Sequence, residues 1–261
     1  MTTFQEYARY YDLLYRDKDY GAETEYLNRL IQTHHPGAAT VINLGCGTGN
    51  HDFHLRDKGY RVTGIDISAD NIALAEEKLA DRKEGIDGLH FMAADICELR
   101  LHRTFDAVLA VFHVMSYLTT NAALRAAFRT AGEHLAPGGV FVFDCWYGPA
   151  VLTQLPSTRV KRVDADDMSL TRLAEPDIDF NANRVDVHYE IIVEDKQHPA
   201  VRRIRETHAM RYLFRPEIEN WLGCAGLELE NSAEWLSGRP LGPETWGGCF
   251  VARKRPDAAD G

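Results

Sequence analysis

The sequence lacks a run of about 18 apolar residues, the length that spans a bilayer, so we expect no membrane-spanning helix. It also lacks the basic start and apolar stretch of a secretion signal. No Cys-x-x-Cys pair occurs, and the five cysteines are odd in number and widely spread. This usage favours neither a zinc site nor a disulfide framework. We therefore expect reduced thiols in a cytoplasmic protein.

Basic residues are in the minority. The 261-residue chain carries 29 lysines and arginines against 39 aspartates and glutamates, a net charge of −10. Because nucleic-acid binding relies on a basic face, this balance argues against a nucleic-acid partner. The cluster at residues 201–205 (VRRIR) is either a phosphate-facing patch or the solvated face of a strand. The length fits one large domain or a core with an elaboration.

A glycine-rich turn is the most informative feature. Residues 41–44 form an apolar, strand-like run that leads directly into three glycines spaced two apart, Gly45 to Gly49. A second strand-like run, 61–65, ends at Asp66, twenty-one residues after Gly45. Glycine permits a positive φ and a close approach of a ligand. A carboxylate at the end of the next parallel strand can accept hydrogen bonds from a ribose diol. The pattern predicts a nucleoside-bearing cofactor over the carboxyl ends of a parallel sheet.

Strands and helices alternate through the first half of the chain. Predicted strands cover residues 40–44, 61–65, 89–93, 107–112 and 140–143. Predicted helices cover 22–31, 50–58, a stretch with Ile72, Ala75 and Leu79 on one face, and 121–135. Five such units in a row predict an α/β fold with a doubly wound parallel sheet.

The pattern changes after Gly148. Residues 159–214 alternate as in antiparallel strands, 216–225 suit a short helix, and 227–233 and 249–253 read as two last strands. We therefore divide the chain into four parts: an aromatic N-terminal cap with the cofactor-binding core (1–148), an antiparallel insert on the acceptor side (149–215), a return to the core sheet (216–254) and a disordered tail (255–261).

Two cofactor classes use such a sheet. Dinucleotide enzymes need G-x-G-x-x-G, whose third glycine lets a helix pack close to a pyrophosphate. Here Asn50 stands where that glycine would be. Asp95, after the third strand, could accept from an adenine amino group, and the Ile96 amide could donate to a ring nitrogen. These features favour a cofactor without a pyrophosphate; a nicotinamide oxidoreductase is the alternative.

Five ordered motifs together resemble the class I S-adenosylmethionine-dependent methyltransferases. They are residues 41–49 (VINLGCGTG), 64–68 (GIDIS), 94–96 (ADI), 105–108 (FDAV) and 135–139 (LAPGG). The resemblance implies a Rossmann-like seven-stranded sheet with a C-terminal antiparallel hairpin, and S-adenosyl-L-methionine as cofactor.

The same resemblance implies a set of cofactor contacts. Gly45 and Gly47 would lie under the methionine part, Asp66 would hold the ribose, Ile67 would pack on adenine, Asp95 and Ile96 would bind its edge, and Phe112 and His113 would border the cofactor. The family usually has an acidic residue two positions before the first glycine. This chain has Asn43, which can hydrogen-bond the cofactor's amino group without the charge attraction.

A closer resemblance is to the nucleotide-amino-sugar N-methyltransferases. It rests on residues 11–15 (YDLLY), 49–51 (GNH), 112–118 (FHVMSYL), 146–147 (WY) and 237–239 (SGR), although this chain is longer around 240–248. It implies a small-molecule acceptor, foremost an amino sugar on a nucleotide. By this resemblance Tyr15 would close over the cofactor, Tyr117 would lie near the transferring methyl, and Trp146, Tyr147 and Arg239 would bind the acceptor.

The chemistry leaves several alternatives open. A neutral amine needs only to lose its proton before attack, whereas an alcohol needs a positioned base. Either Tyr117 or His113 could take that proton, and an O-methyltransferase is the second hypothesis. A metal is not expected, because His113 follows strand four where a metal mechanism would need an acidic residue. His188 and His208 are not expected in the site. A homodimer and a cofactor-sensing protein without turnover remain open.

Overall fold

The computed structural model describes residues 10, 13–82, 87–198 and 200–255. The strands are β1 (Thr40–Leu44), β2 (Arg61–Asp66), β3 (Leu89–Ala93), β4 (Phe105–Ala110), β5 (Leu135–Trp146), β6 (Arg159–Asp164), β7 (Met168–Asp179), β8 (Arg184–Asp195), β9 (Val201–Arg211), β10 (Leu227–Glu234) and β11 (Gly247–Lys254). The helices are α1 (Tyr20–His34), α2 (Asn50–Asp57), α3 (Ala69–Asp81), α4 (Asn121–His134), α5 (Gly148–Gln154) and α6 (Arg215–Cys224), with a 3₁₀ turn at Val114–Tyr117. The expected tail from residue 256 onward lies outside the described residues.

The main sheet has seven strands in the order β10-β11-β5-β4-β1-β2-β3. Strands β1 to β5 pair in parallel, and β11 runs antiparallel to both β5 and β10. The central strands β1 and β4 are mostly apolar, and residues 107–110 of β4 are fully buried, as expected where helices cover both faces. The predicted fold class, with its antiparallel hairpin at the end, is confirmed.

Polar residues cap three of the helices that cover this sheet. The side chains of Asp19, Ser68 and Thr120 accept hydrogen bonds from backbone N–H groups in the first turns of α1, α3 and α4. Each such cap satisfies one of the N–H groups that a helix start leaves without a partner. Ser68 therefore starts α3 itself, and the preceding Asp66 is available for another role.

The clearest differences from the prediction concern two strands and one short helix. Strand β4 ends at Ala110 instead of Phe112, because Phe112 and His113 both adopt left-handed backbone angles with φ of 65°. Strand β5 begins at Leu135 instead of Val140, immediately after α4, since Leu135 already pairs with Phe105 across a β-bulge. Helix α5 was not predicted; it has only 7 residues, too few for a visible apolar repeat.

A second sheet of four antiparallel strands, β6 to β9 in order, forms the insert. Its alternation is as expected: Val185, Val187 and Ile191 of β8 are buried on one face. That face packs against the N-terminal segment, in which Tyr10 and Leu14 are buried in one apolar cluster with residues of β6 to β9. Residues 4–9 and 11–12 of the expected aromatic cap lie outside the described residues.

The order of the main sheet places a ligand site. Strands β1 and β4 are neighbours, and the chain continues from them in opposite directions across the sheet. Loops that leave such a point diverge and open a crevice at the carboxyl ends of the strands. The glycine turn follows β1 and the left-handed pair at residues 112–113 follows β4, so both lie at this crevice. In the described part of the chain, no helix is long and apolar enough to cross a membrane.

Close packing of α4 against α6 gives a test of the fold. A Cβ on Gly132 of α4 would lie 2.5 Å from the backbone oxygen of Ala225, whereas a Cβ on Gly223 of α6 would meet nothing within 4 Å. We predict that Gly132→Ala lowers the free energy of unfolding by about 1–3 kcal/mol through overpacking. The matched change Gly223→Ala should raise it by about 0.5–1 kcal/mol, because alanine favours the helix. Urea denaturation measures both; a Gly132→Ala variant as stable as Gly223→Ala would contradict the predicted contact.

Candidate active site

A cavity of about 610 Å³ occupies the crevice at the carboxyl ends of the central strands. Eleven residues predicted from the sequence line it: Tyr15, Gly45, Gly47, Asp66, Ile67, Asp95, Ile96, Phe112, His113, Tyr117 and Trp146. The insert contributes Tyr189, His208 and Met210, so the wall is built by the N-terminal segment, the core and the second sheet together.

The glycine turn is shaped by two close contacts and one open position. A Cβ on Gly45 would lie 2.4 Å from the Val114 side chain, and a Cβ on Gly49 would lie 2.6 Å from the Phe91 ring. At Gly47 a Cβ would meet no atom within 4 Å. All three glycines have positive φ, which disfavours any other residue there. The first and third glycines therefore allow the turn to pack, and the second leaves space on the cavity side.

Asp66 is fixed at the end of β2 by three donors. The backbone N–H groups of Gly47 and Ser68 donate to its two carboxylate oxygens at 2.8 and 2.9 Å, and the Asn71 amide donates at 3.3 Å. Burial raises the pKa of Asp66, and these hydrogen bonds act in the opposite direction. The result is a carboxylate of fixed orientation in the cavity wall, a suitable acceptor for the hydroxyls of a ribose.

Beside Asp66 the wall offers an apolar surface and a second carboxylate. Ile67 is 63% exposed although it is a large aliphatic residue, and it lines the cavity. Such exposure within a concave site is typical of a surface that a ligand covers. Asp95 accepts a hydrogen bond from the Cys97 N–H at 2.7 Å, which orients its carboxyl group beside Ile96. Together with the open space over Gly47, this set fits an adenosine with a small group extending over the turn.

His113 is held against a buried carboxylate. Its backbone N–H donates to Asp144 Oδ1 at 2.9 Å, and its ring Nδ1 lies 2.7 Å from Asp144 Oδ2. Burial alone would raise the pKa of Asp144, but the interactions with His113 and Lys18 lower it below its ordinary value. The left-handed backbone at residues 112–113 is a strained conformation for non-glycine residues. It directs both side chains to the cavity.

The N-terminal segment closes one side of the cavity. The Tyr15 ring stands edge-on to the Phe112 ring, with centroids 5.2 Å apart. Lys18 Nζ lies 3.4 Å from the centre of the Phe112 ring and 2.9 Å from Glu23, whose carboxylate also contacts His51 at 2.7 Å. A cation over an aromatic face is favourable when it is shielded from water. These contacts attach the segment to the core next to the glycine turn.

A second histidine faces the cavity from the insert. His208 is only 3% exposed, and its Nδ1 lies 2.9 Å from the Tyr117 hydroxyl while its Nε2 lies 3.2 Å from Glu206. The expectation that His208 lies outside the site is wrong. The alternation of β9 could have revealed it, because His208 is in register with the buried Ile204 and Met210. His188 lies outside the cavity wall, beside Thr207.

Three residues predicted for the site do not line the cavity. Asn43 lies behind the glycine turn, where its amide donates to Asp52 Oδ2 at 2.8 Å. Tyr147 packs against Phe250 with ring centroids 6.3 Å apart. Arg239 is paired with Glu234 at 2.6 Å and is mostly exposed. The contact between Asn43 and Asp52 explains why an amide stands where the family usually has an acidic residue. A carboxylate at position 43 would face the buried Asp52 carboxyl, whereas the Asn43 amide can donate a hydrogen bond to it.

Comparison with known proteins gives matches over the core and over nearly the whole chain. A family model described as a methyltransferase domain matches residues 41–139. The dTDP-3-amino-3,4,6-trideoxy-alpha-D-glucopyranose N,N-dimethyltransferase of Streptomyces venezuelae is 31% identical over 241 residues, which cover 91% of this chain and 94% of the relative. The dTDP-3-amino-3,6-dideoxy-alpha-D-glucopyranose N,N-dimethyltransferase of Streptomyces fradiae is 32% identical, with 90% and 89% covered.

A solved structure extends this similarity to three dimensions. The structure of S-adenosylmethionine-bound CalS10, an amino pentose methyltransferase from Micromonospora echinaspora, superposes with a TM-score of 0.76 at 27% identity. The match covers 96% of this chain and 97% of that chain. The insert and the final hairpin are therefore shared, in addition to the core.

The pair behind the glycine turn gives a prediction about pH. Burial raises the pKa of Asp52 to about 7, while the Asn43 hydrogen bond acts to lower it. Because the folded carboxyl holds its proton more tightly than the unfolded one, whose pKa is about 4, its contribution to stability is lost as pH rises from about 4 to 7. We expect Asp52→Asn to remove this loss. The free energy of unfolding of the variant should therefore rise by about 2–4 kcal/mol relative to that of wild type between pH 4 and pH 8.

Chemical denaturation at several pH values measures this difference. The control is Asp57→Asn, an exposed change at the end of the same helix, α2, for which the difference from wild type should stay small and nearly constant above pH 5. A constant difference for Asp52→Asn across the whole range would show that Asp52 is ionised in the folded protein at neutral pH.

Proposed function

The chain belongs to the S-adenosylmethionine-dependent methyltransferases, and we propose that it methylates the amino group of a sugar carried on a nucleotide. The observation that carries the proposal is the extent of the similarity to dTDP-amino-sugar N,N-dimethyltransferases, which covers about nine-tenths of the chain. That extent includes the insert, which contributes Tyr189, His208 and Met210 to the cavity wall. A match confined to the core would support only the cofactor.

S-adenosylmethionine, the cofactor, supplies a methyl group already activated by a positive sulfur. We assign the residues that would hold it from the donors and surfaces described above. The fixed Asp66 carboxylate would accept from the ribose hydroxyls, Ile67 would cover one face of the adenine, and Asp95 with Ile96 would contact its edge. Gly45 and Gly47 would lie under the methionine part, where the wall has no side chain.

The remaining wall suits a sugar. Three aromatic side chains not assigned to the cofactor, Tyr117, Trp146 and Tyr189, also line the cavity. Flat rings of this kind pack on the faces of sugar rings, and their polar tips can hydrogen-bond hydroxyl groups. By enclosing the acceptor they would also exclude water and hold the nitrogen in line with the methyl group. Such positioning can supply on the order of 7–11 kcal/mol of the activation barrier.

An amine is the better acceptor for this cavity than an alcohol. An amine becomes a nucleophile once its ammonium form loses a proton, so a weak acceptor for that proton is sufficient. His113 and the Tyr117 hydroxyl both line the cavity and can serve in this way. Tyr147 and Arg239, which lie outside the wall, have no part in the proposal.

The cofactor half of the proposal is tested by binding. Asp66→Ala removes the ribose acceptor, so we expect the binding free energy of S-adenosylmethionine to weaken by roughly 1.5–3 kcal/mol, the range for hydrogen bonds to a charged group. Isothermal titration calorimetry measures it. Asp70→Ala, an exposed change in the first turn of α3, is the control and should bind like wild type. Equal affinities for wild type and Asp66→Ala would refute the ribose assignment.

The acceptor half is tested by turnover. Purified protein is incubated with S-adenosylmethionine and a panel of dTDP-sugars that carry an amino group at position 3 or position 4, alongside the matching sugars with a hydroxyl there. Mass spectrometry follows each sugar. We expect one or two methyl groups on at least one amino sugar and none on its hydroxyl counterpart. Methylation of the hydroxyl sugars alone would overturn the proposal in favour of O-methylation.

A further inference from the structure

We infer that Tyr117, His208 and Glu206 form a proton relay, in which the Tyr117 hydroxyl takes the proton released by the acceptor and passes its own to His208. The inference rests on the proposed function, since it assumes an acceptor that arrives as an ammonium ion. Tyr117 is the member that would touch the acceptor; His208 and Glu206 are positioning residues that act through it.

The three side chains form a chain of hydrogen bonds that leads from the cavity into the insert. Tyr117 and His208 both line the cavity, and the hydroxyl of the first lies 2.9 Å from Nδ1 of the second. On the far side of the imidazole ring, Nε2 lies 3.2 Å from a Glu206 carboxylate oxygen. Both distances are within hydrogen-bonding range. His208 is almost fully buried, and the Glu206 side chain is only 10% exposed.

The carboxylate determines which nitrogen of His208 carries the proton. A carboxylate at Glu206 can only accept hydrogen bonds, so the neighbouring Nε2 is the donor, and the neutral form of the ring then has its proton on Nε2. Nδ1 is then left with its lone pair toward Tyr117, whose O–H donates to it. A tyrosine oxygen that donates in this way still has lone pairs to accept a hydrogen bond from a group in the cavity. The relay is thus oriented to receive a proton.

The surroundings keep Tyr117 as a hydroxyl. Burial raises the pKa of Tyr117 well above its ordinary value, and the nearby Tyr189, Tyr15, Glu206 and Asp66 act in the same direction. The phenol therefore transmits a proton and does not store a negative charge. Of the titratable and charged groups around the relay, Tyr15 and Asp66 act on Tyr117, the Tyr189 ring stands edge-on to His208, and Arg172 lies over the Tyr189 ring.

The proton transfer balances without another reagent. The N–H bond of the acceptor ammonium breaks and its electron pair stays on nitrogen, which becomes the neutral nucleophile. The proton joins the Tyr117 oxygen as the tyrosine's own proton moves to His208 Nδ1. His208 becomes an imidazolium beside the Glu206 carboxylate, which stabilises its positive charge. The Tyr117 proton is then lost to solvent through the cavity as the Nδ1 proton returns to the Tyr117 oxygen, which restores the starting state.

His113 is the competing acceptor in the same cavity. Its Nδ1 lies 2.7 Å from Asp144 Oδ2, so this carboxylate places the ring proton on Nδ1, as Glu206 places it on Nε2 of His208. The difference between the two rings is the second contact: His208 Nδ1 lies 2.9 Å from the Tyr117 hydroxyl, so a proton that Tyr117 takes from the cavity can pass directly to a buried ring. The pH profiles of the His113 and His208 variants distinguish the two acceptors.

The experiment compares pH profiles of kcat/KM for His208→Gln, Glu206→Gln and His113→Gln with wild type on the best amino sugar. At pH 7 we expect His208→Gln to be slower by about 100-fold, within the usual range for proton-transfer groups, and Glu206→Gln by about 10-fold. Both losses should shrink to a few-fold above the pKa of the acceptor ammonium, where the amine is already neutral. A purely structural defect would persist at every pH.

The control is His188→Gln, which changes a histidine on the same sheet outside the cavity wall and should leave the profile unchanged. A loss for His208→Gln that is equal at all pH values would overturn the relay while the proposed function stands. The same holds if only His113→Gln shows the pH-dependent loss.

A measurement without turnover separates the relay from the proposed function. Nitrogen-15 NMR of the purified protein reports the tautomer of each histidine ring. We expect His208 to carry its proton on Nε2 at neutral pH and to change its Nδ1 shift in Tyr117→Phe. A His208 protonated on Nδ1 instead would overturn the relay, whichever acceptor the enzyme uses. If His208 has the expected tautomer but wild type methylates no amino sugar, the proposed acceptor is overturned. The relay then loses the ammonium ion that would give it a proton, although its hydrogen bonds stand.

Discussion

The hydrogen bond from the Gly47 N–H to the Asp66 carboxylate joins the two features on which the site depends. It connects the turn after β1 to the end of β2. The Gly45 and Cys46 N–H groups donate to the Ile65 carbonyl oxygen at 2.7 and 2.8 Å, and together these three bonds fix the turn relative to the carboxylate. They also set the separation between the open space over Gly47 and the exposed Ile67. Asp66 is thus a structural acceptor as well as the ribose contact that we propose.

Much of the cofactor side could be predicted from the sequence because its signals are local. A glycine with positive φ, a carboxylate at a strand end and an apolar residue beside it all follow from their position along one strand–turn–helix unit. Parallel pairing of β1 with β2 then brings these local features together. This is why the residues at Gly45, Gly47, Asp66, Ile67 and Asp95 were found in the cavity wall.

The acceptor side was harder because it depends on how two sheets pack. Whether His208 faces the core or the solvent is decided by the register of β9 against β8, and a shift of one residue would reverse it. Arg239 and Tyr147 lie outside the cavity wall for other reasons: an ion pair with Glu234 and an aromatic contact with Phe250 hold them elsewhere. Asn43 lies behind the glycine turn, where it donates to Asp52, a buried residue of the next helix.

The backbone after β4 shows a second limit of sequence reasoning. The apolar run through residue 112 favours a continuous strand, yet two consecutive residues turn into the left-handed region. Close packing of Val114 on Gly45 and the bond from the His113 N–H to Asp144 compensate for the strain. Neither contact is visible in the local pattern, since each joins segments that are distant along the chain.

Tyr15 connects the two sheets. Its ring meets Phe112 of the core, and its hydroxyl accepts a hydrogen bond from Arg172 of β7 at 3.1 Å. Nearby, the Leu14 carbonyl oxygen accepts from Lys161 of β6 at 2.5 Å. A short length of chain therefore belongs to both folding units at once. Loosening of either sheet removes contacts from the other, so the insert and the core are coupled into one cooperative unit.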